Sequence, residues 1–172
     1  MAIVIRRLAE RDRSDGFDCG DAALNGYLKQ HAWTNQEKVS IGVTYVAVDE
    51  AAPAAVLGYF TLATAGVPRD MFPREYVRGL PAYDLPLLLL ARLAVDRRFA
   101  GRGLGHALIS EAFRISLRVA DEVGCRCLIT DAYPEKAGWY ARYGFVPIEG
   151  PAPGGPQRMF LDIRTIRAAL RP

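Results

Sequence analysis

The chain has 172 residues, of which 51% are hydrophobic and 24% are charged. These proportions are typical of a soluble globular protein and exclude general disorder, and we expect residues 1–172 to form a single domain. The net charge of +3 is modest and does not by itself indicate a nucleic-acid partner. The longest apolar run contains Pro86 and Arg92 and is too short for a bilayer, and no signal peptide precedes it, which predicts a cytoplasmic protein.

The first half of the chain predicts a strand, a helix and an antiparallel hairpin. AIVIRR is typical of a strand, and Asp21 is typical of a helix N-cap. Apolar residues then follow at the spacing of one helix face: Leu24, Tyr27, Leu28 and Ala32. The β-rich runs IGVTYVAVD and AAVLGYFTLATAGV, separated by EAAPA, predict the hairpin. The proline-punctuated segment 68–86 predicts a short helix and a loop over the surface.

The second half alternates strands and helices. After LLLLARLAVD comes a glycine-rich loop, and a long helix that Gly124 ends carries one apolar stripe: Leu104, Leu108, Ala112, Ile115, Val119 and Val123. CRCLITDA predicts a strand, and PEKAGWYARYGF a short helix with Pro134 near its start and Gly144 at its end. QRMFLDI predicts a last strand, followed by a short helix from Arg164. The order indicates an α/β domain around a mixed sheet.

The three cysteines do not indicate a disulfide framework or a metal site. Their number is odd, and Cys19, Cys125 and Cys127 have no CxxC spacing. Cys125 and Cys127 would project from the same face of a strand. We therefore expect all three to be core residues, and we expect no bound metal.

The loop in RRFAGRGLGHAL has the composition of a phosphate-binding turn. A Walker A loop is excluded because no lysine and Ser/Thr stand at the required place, and Gly101, Gly103 and Gly105 give GxGxG where a dinucleotide fingerprint needs GxGxxG. The remaining pattern combines Arg98 with glycines at a strand-to-helix junction. There the backbone can approach a pyrophosphate, and the helix dipole attracts its charge. A purely steric glycine turn is the alternative.

LAVDRRFAGRGLGHALI and, further on, WYARYGF resemble the acetyl-coenzyme A loop and the Tyr-xxx-Gly-Phe segment of the GNAT N-acetyltransferases. The resemblance spans roughly Leu87 to Phe160. It implies a GNAT fold, in which a mixed, mostly antiparallel sheet with splayed central strands is flanked by helices. It also implies acetyl-CoA as co-substrate, without a metal.

A second resemblance lies upstream. The segment 16–36 is similar to the acetyltransferase toxins of toxin–antitoxin systems, whose opening F-D-C-G-x-x-x-L-x-x-[FWY]-L is matched by Phe17, Asp18, Cys19, Gly20, Leu24, Tyr27 and Leu28. Those toxins acetylate the α-amino group of aminoacyl-tRNA and stop translation. The resemblance implies charged tRNA as acceptor, a homodimer and a ribbon-helix-helix antitoxin.

The resemblance assigns residues to roles. Tyr140 aligns with the general acid near the coenzyme sulfur, whereas Trp139 and Tyr143 are expected to pack. The positions expected to bind coenzyme are Leu93, Ala94, Val95, Arg97, Arg98, Gly101, Arg102, Gly103, Leu104 and Gly105. Candidates for tRNA contact are Lys29, Arg74, Arg78 and Arg92. Arg92 interrupts an apolar run, and a strand-end salt bridge is its alternative role.

The general base and the acceptor remain open at this point. Asp131 is a candidate base that could equally cap a turn, and His31 and His106 are expected in surface or half-buried positions. Two other functions fit the sequence. One is a housekeeping N-acetyltransferase of a small amine or a protein N-terminus, and the other is a non-enzymatic acetyl-CoA-binding regulatory module.

Overall fold

The computed structural model describes residues 1–12, 14–148 and 154–170. Seven strands form a mixed sheet in the order β1-β2-β3-β4-β5-β7-β6. The strands are β1 (Ile3–Arg7), β2 (Val43–Asp49), β3 (Ala52–Val67), β4 (Leu85–Val95), β5 (Cys127–Ala132), β6 (Val146–Pro147) and β7 (Gln157–Asp162). The helices are α1 (Ala22–Gly26), α2 (Ala32–Thr34), α3 (Arg74–Val77), α4 (Leu104–Glu122), α5 (Pro134–Ala141) and α6 (Ile163–Ala169).

The sheet is mostly antiparallel, as the sequence predicts. Strand β2 pairs antiparallel with β1 and with β3, and β7 pairs antiparallel with β5 and with β6. Strands β4 and β5 run parallel, from Leu87 opposite Cys127 to Leu89 opposite Ile129. A parallel pair needs a crossover, and α4 lies in that connection.

The chain divides into two compact units, and each is built from two separate stretches. Unit 1 contains Met1–Ala63 and Ala91–Phe113, and unit 2 contains Thr64–Leu90 and Arg114–Pro172. The core cluster of unit 1 consists of Leu8, Phe17, Tyr27, Leu28, Ala32, Val46, Val48, Val56, Tyr59 and Ala94. That of unit 2 consists of Val67, Phe72, Val77, Leu85, Leu87, Cys127, Ile129, Ile148 and Phe160.

The predicted N-terminal helix is present, but it is not a uniform α-helix. The Asp21 carboxylate caps it by accepting hydrogen bonds from the N–H groups of Ala23 and Leu24. Short α1 and α2 alternate with π-helical stretches at Tyr27–His31 and Asn35–Val39. The predicted face is confirmed, because Tyr27, Leu28 and Ala32 are buried and Leu24 is partly buried against them.

Helix α4 starts at Leu104 and is 19 residues long. Most of its predicted stripe is confirmed, since Leu104, Leu108, Ala112 and Ile115 are buried. The prediction that Val123 belongs to this apolar stripe is wrong. Val123 lies after the last helical residue and is 84% exposed, whereas Gly124 ends the helix with φ +101° and an N–H bonded to the Val119 carbonyl.

The hairpin and the proline-rich segment differ from expectation in detail. Strand β3 begins within EAAPA, at Ala52, so the turn is shorter than the sequence suggested. The proline-rich segment contains a 3-10 turn at Arg69–Met71 as well as α3. It is not merely a surface connection, because Phe72 and Val77 are buried in the core of unit 2.

The cysteines are free thiols. Cys125 and Cys127 are buried as predicted, but β5 starts only at Cys127, so the two do not share one strand face. Burial raises the pKa of the Cys127 thiol to about 12. Cys19 is only half-buried, and its thiol lies 3.1 Å from the Asn25 amide oxygen. Within the described ranges, no helix has the length and apolarity that crossing a membrane requires.

Candidate active site

The glycine-rich loop connects β4 to α4 in unit 1. A 3-10 turn at Arg97–Phe99 opens it, and Gly101 and Gly103 follow with φ of +73° and +80°. A Cβ at either glycine would have no heavy atom within 4 Å. Glycine is therefore required for the left-handed backbone and not for space within the protein itself.

The second half of the loop presents unpaired backbone N–H groups. The N–H groups of Arg98, Phe99 and Ala100 bond inside the 3-10 turn, to the Asp96 carboxylate, the Asp96 carbonyl and the Arg97 carbonyl. Among the described residues, those of Gly103, Leu104 and Gly105 have no hydrogen-bond partner. These groups lie at the N-terminus of a long helix, whose dipole adds positive potential. This end of the loop is therefore suited to binding an anion.

Asp96 organises the start of the loop, and the sequence analysis missed it. It is fully buried, and its carboxylate accepts hydrogen bonds from the Arg98 guanidinium at 2.7 and 2.8 Å, from the Arg98 N–H at 2.9 Å and from the Asp18 N–H at 3.1 Å. The side-chain bonds from Arg98 lower the Asp96 pKa to about 2. The signal available in the sequence was an aspartate placed between an apolar run and two arginines.

Arg97 and Arg98 have protein partners in the structure. The Arg97 guanidinium pairs with the Asp18 carboxylate, and its N–H donates to the Asp18 carbonyl at 2.9 Å. The Arg98 guanidinium bridges Asp96 and the carbonyl of Gly16, 3.0 Å away. Arg97 and Arg98, both expected to bind coenzyme, thus direct these groups to protein partners in this structure.

Arg102 differs from the two preceding arginines. Its side chain is exposed, its guanidinium carbon lies 5.5 Å from the centre of the Phe99 ring, and it forms no ion pair among the described residues. A guanidinium resting on an aromatic ring keeps its N–H edge available for hydrogen bonds. Arg102 is the loop arginine whose donors are free to meet an anion.

The end of β4 leads into the loop. Leu93 and Val95 are half-buried, Ala94 is buried, and the Asp96 N–H donates to the Leu57 carbonyl of β3 at 2.9 Å. This contact anchors the end of β4 and the start of the loop within unit 1.

In unit 2, the parallel pairing of β4 and β5 ends at Leu89, and a side-chain hydrogen bond follows it. The Thr130 hydroxyl donates to the carbonyl of the next residue, Leu90, at 3.0 Å. Thr130 is 2% exposed, so this bond satisfies a hydroxyl and a carbonyl away from water.

Tyr140 lies on α5 in unit 2. It is 9% exposed, and its ring packs at 5.0 Å from Trp139 and at 5.5 Å from Phe145, both edge-on. Burial raises the pKa of its phenol, and a hydrogen bond with Thr130 acts in the opposite direction. The phenol is therefore protonated at neutral pH and can act as a proton donor.

Residues 40–147 match the Acetyltransferase (GNAT) domain model. The chain belongs to the GNAT acetyltransferase family. A tRNA-acetylating toxin of Mycobacterium tuberculosis is 29% identical to it over 96% of this chain and 95% of that protein. A crystal structure of KacT carrying a tyrosine-to-phenylalanine substitution has a TM-score of 0.89 at 28% identity, covering 99% of this chain and 100% of KacT. AtaT in complex with acetyl-methionyl-tRNAfMet has a TM-score of 0.87 at 27% identity, with coverage of 99% and 100%.

Two other AtaT structures contain further molecules. One is AtaTR bound with acetyl-CoA, with a TM-score of 0.81, 27% identity and 98% coverage of both chains. The other is an AtaT tyrosine-to-phenylalanine mutant bound to the C-terminus of the antitoxin AtaR, with a TM-score of 0.80, 27% identity and 99% coverage of both chains. These similarities extend over nearly the whole chain and are not limited to the GNAT loop.

The N-terminal motif of this GNAT protein forms a tight turn before α1. Phe17 is buried with its ring edge-on to Tyr59, at 5.6 Å. The Asp18 carboxylate accepts from the Gly20 N–H at 2.9 Å and from the Asn25 amide at 3.0 Å, and these bonds lower its pKa. The turn is thus held from inside by its own side chains as well as by Asp96.

The candidate tRNA contacts of this GNAT protein occur in both units. Lys29 in unit 1, and Arg74 and Arg78 in unit 2, are exposed. Arg92 is half-buried, with its guanidinium carbon 3.6 Å from the centre of the Tyr27 ring. The alternative of a strand-end salt bridge is wrong for Arg92, because within the described residues it stacks on an aromatic ring and forms no ion pair.

The remaining titratable candidates are less suited to catalysis. Asp131 is exposed and holds Arg158 in a two-pronged ion pair of 2.7 and 2.9 Å, so it is neither a free base nor a cap. His31 and His106 are exposed, as expected. No group of three or more His, Cys, Asp or Glu side chains in the described part of the chain could hold a metal ion.

Proposed function

We propose that this GNAT protein is an acetyl-CoA-dependent toxin that acetylates the α-amino group of aminoacyl-tRNA and thereby blocks translation. The observation that carries the proposal is the run of unpaired N–H groups at Gly103–Gly105, at the start of α4, in a chain of this family. The relatives that acetylate tRNA, or that hold acetyl-methionyl-tRNA, support charged tRNA as the acceptor.

In this proposal the loop binds the coenzyme through its backbone. Gly101 and Gly103 let the chain approach the pyrophosphate, and the N–H groups of Gly103, Leu104 and Gly105 donate to it. Arg102 supplies a guanidinium for a phosphate group. Main-chain atoms of Leu93 to Val95 contact the pantetheine arm, and the Val95 N–H polarises the acetyl carbonyl.

The proposed chemistry is direct transfer without a covalent enzyme intermediate. The neutral α-amine attacks the thioester carbonyl, a C–N bond forms and the C–S bond breaks. Tyr140 donates its phenolic proton to the departing sulfur, and the amine loses a proton to water. The neighbouring ester lowers the pKa of an aminoacyl-tRNA amine, so the reaction needs no strong base from the protein.

We propose Lys29, Arg74, Arg78 and Arg92 as contacts to the tRNA backbone. The first three are exposed cations, which can neutralise phosphates without fixing a sequence. The Arg92 guanidinium is positioned by its contact with the Tyr27 ring, and its N–H groups can bind a phosphate through two parallel hydrogen bonds.

The proposal extends to organisation and partners. Residues 1–172 act as one N-acetyltransferase domain in the cytoplasm, as a homodimer. A ribbon-helix-helix antitoxin neutralises it, and the structure of AtaT with the C-terminus of AtaR supports an antitoxin as partner. A small reading frame beside the gene is the place to look for it.

The test is an acetyl-transfer assay with labelled acetyl-CoA. Aminoacylated tRNA, the same tRNA stripped of its amino acid, and a panel of small amines and peptide N-termini are compared as acceptors. We expect label only in the charged tRNA. Tyr140→Phe should lower kcat by about 10²- to 10⁴-fold, the usual contribution of a general acid, without changing acetyl-CoA affinity.

Tyr143→Phe is the matched control, since Tyr143 is a half-buried tyrosine two residues after the same helix ends. It should keep near-normal kcat. Transfer to amines or peptides but not to charged tRNA would indicate a housekeeping N-acetyltransferase instead of a toxin. Coenzyme binding without turnover on any acceptor would indicate a regulatory module. Expression in a bacterial host should arrest growth unless Tyr140 is replaced.

A further inference from the structure

We propose that Asp96 and the arginines Arg97 and Arg98 fasten the N-terminal turn Gly16–Gly20 to the coenzyme loop, so that coenzyme binding rigidifies this turn. This inference rests on the proposed function, because it assigns a positioning role within the same loop. It replaces the expected role of Arg97 and Arg98 as phosphate ligands. We call Asp18, Asp96, Arg97 and Arg98 the Asp96 cluster.

The cluster joins two segments that are far apart in sequence. Asp96 stands 78 residues from Asp18, yet its carboxylate accepts the Asp18 N–H at 3.1 Å. In the opposite direction, the Arg97 N–H donates to the Asp18 carbonyl at 2.9 Å. These two bonds, both made by main-chain groups of Asp18, tie the turn to the loop.

Side chains reinforce the same junction. The Arg98 guanidinium reaches past Asp96 to the carbonyl of Gly16 at 3.0 Å, and Arg97 forms an ion pair with the Asp18 carboxylate. The carboxylate of Asp96 is fully buried, so its bonds with Arg98 and Asp18 compete little with water. Opening the junction would leave a buried carboxylate without its donors, which is costly.

The same contacts argue against Arg98 as a phosphate ligand. Its backbone N–H and two atoms of its guanidinium are already bound to Asp96. A phosphate drawing the guanidinium away would uncover the Asp96 negative charge close to the incoming anion. The unpaired N–H groups begin later in the loop, and Arg102 lies beside them in sequence with its donors free.

A coupling between the two segments follows. The cluster holds the N-terminal turn Gly16–Gly20 and the 3-10 turn Arg97–Phe99 in one arrangement. A ligand that selects this loop conformation therefore also suppresses opening of the N-terminal turn. The turn continues into α1 and Tyr27, on which Arg92 stacks. Coenzyme binding would thus order the segment on which the proposed acceptor contact depends.

Amide hydrogen exchange on the full chain, with and without acetyl-CoA, tests the proposal. In the wild type, exchange at the Asp18 and Gly20 N–H groups should slow by about tenfold or more when acetyl-CoA binds. In Asp96→Asn, these two N–H groups should exchange rapidly in the free protein. Acetyl-CoA should bind with a Kd within about threefold of the wild-type value and should not slow their exchange. Arg98→Ala, a milder change at an exposed side chain, should behave similarly. It should also raise KM for charged tRNA more than KM for acetyl-CoA.

Asp12→Asn is the matched control, because the buried Asp12 side chain pairs with Arg6 and the Ala9 N–H instead of the loop. It should retain the coenzyme-dependent slowing. The proposal is overturned if Arg98→Ala weakens acetyl-CoA binding by about tenfold or more while Arg102→Ala does not. It is also overturned if acetyl-CoA binds the wild type without slowing exchange at Asp18. Absence of acetyl-CoA binding to the wild type would refute the proposed function together with this inference.

Discussion

Replacing Gly58 with alanine tests how closely the start of α4 must approach the sheet. Gly58 lies on β3, opposite Ala47 and beside a β-bulge. A Cβ at this position would lie 3.0 Å from Leu108 Cδ1, 3.1 Å from the Ala94 carbonyl oxygen and 3.3 Å from Leu104 Cδ2. Two of these atoms belong to the first two turns of α4, and the third is backbone at the end of β4.

The magnitude follows from which neighbours can move. The two leucine methyl groups can rotate only at the expense of packing, and the Ala94 carbonyl is fixed between strand and loop. Overpacking a core by one methyl group usually costs about 1–3 kcal/mol. A gain of about 0.5–1 kcal/mol from lower entropy of the unfolded chain offsets part of this. We expect a net loss of up to about 2.5 kcal/mol, or a fall in Tm of up to about 10 °C for a chain of this size.

Thermal unfolding and acetyl-CoA titration of the same samples provide the measurement. Because the strain falls on the start of α4, acetyl-CoA affinity should drop as well as Tm. Gly66→Ala on the same strand is the control, since a Cβ there meets nothing within 4 Å and the backbone is not left-handed. If Gly58→Ala is as stable as Gly66→Ala and binds acetyl-CoA as tightly as the wild type, the inferred close approach is incorrect.

Three further predictions concern stability and pH. The Asp96 pKa lies near 2, below its ordinary 3.8, so the contribution of Asp96 to stability is complete above about pH 4 and is lost as pH falls through about 2. Asp96→Asn should therefore flatten the fall of the free energy of unfolding in that pH window. An acid titration by circular dichroism that is the same for variant and wild type would contradict this. Leu108→Ala should cost about 2–5 kcal/mol in urea denaturation and Val123→Ala less than about 0.5 kcal/mol, because Leu108 is buried and Val123 is 84% exposed; equal effects would argue against these positions. Thr130→Val removes the hydroxyl that lowers the Tyr140 pKa, so the alkaline limb of the kcat–pH profile should move to higher pH, whereas an unmoved limb would mean that the two groups are not coupled.

Local rules were sufficient to predict most of the elements and the loop. The spacing of apolar residues indicated α4, Asp21 indicated the start of α1, and the glycines indicated the left-handed turn. Each of these signals is read within one turn or one strand. Val123 shows the limit of such rules, because periodicity alone does not say on which side of the last helical residue a valine lies.

The details of the site depend on contacts between distant segments, which a single sequence does not reveal. Asp96 was not singled out because its partner Asp18 lies 78 positions earlier in the chain, and Gly16, the partner of the neighbouring Arg98, lies 82 positions before that arginine. Arg92 could not be placed on Tyr27 for the same reason. The arginines of the loop look equivalent in sequence, and only their partners separate Arg97 and Arg98 from Arg102.

The discontinuous make-up of the two units has a consequence for synthesis of the chain on the ribosome. Unit 1 needs residues up to Phe113, although its first stretch ends at Ala63, and unit 2 begins at Thr64 but takes most of its residues from Arg114 onward. Each unit is therefore complete only after at least part of the other has been synthesised. No single cleavage of the chain releases either unit intact. A nascent chain that ends before Leu104 lacks α4, so it has neither a complete unit 1 nor the helix that follows the glycine-rich loop.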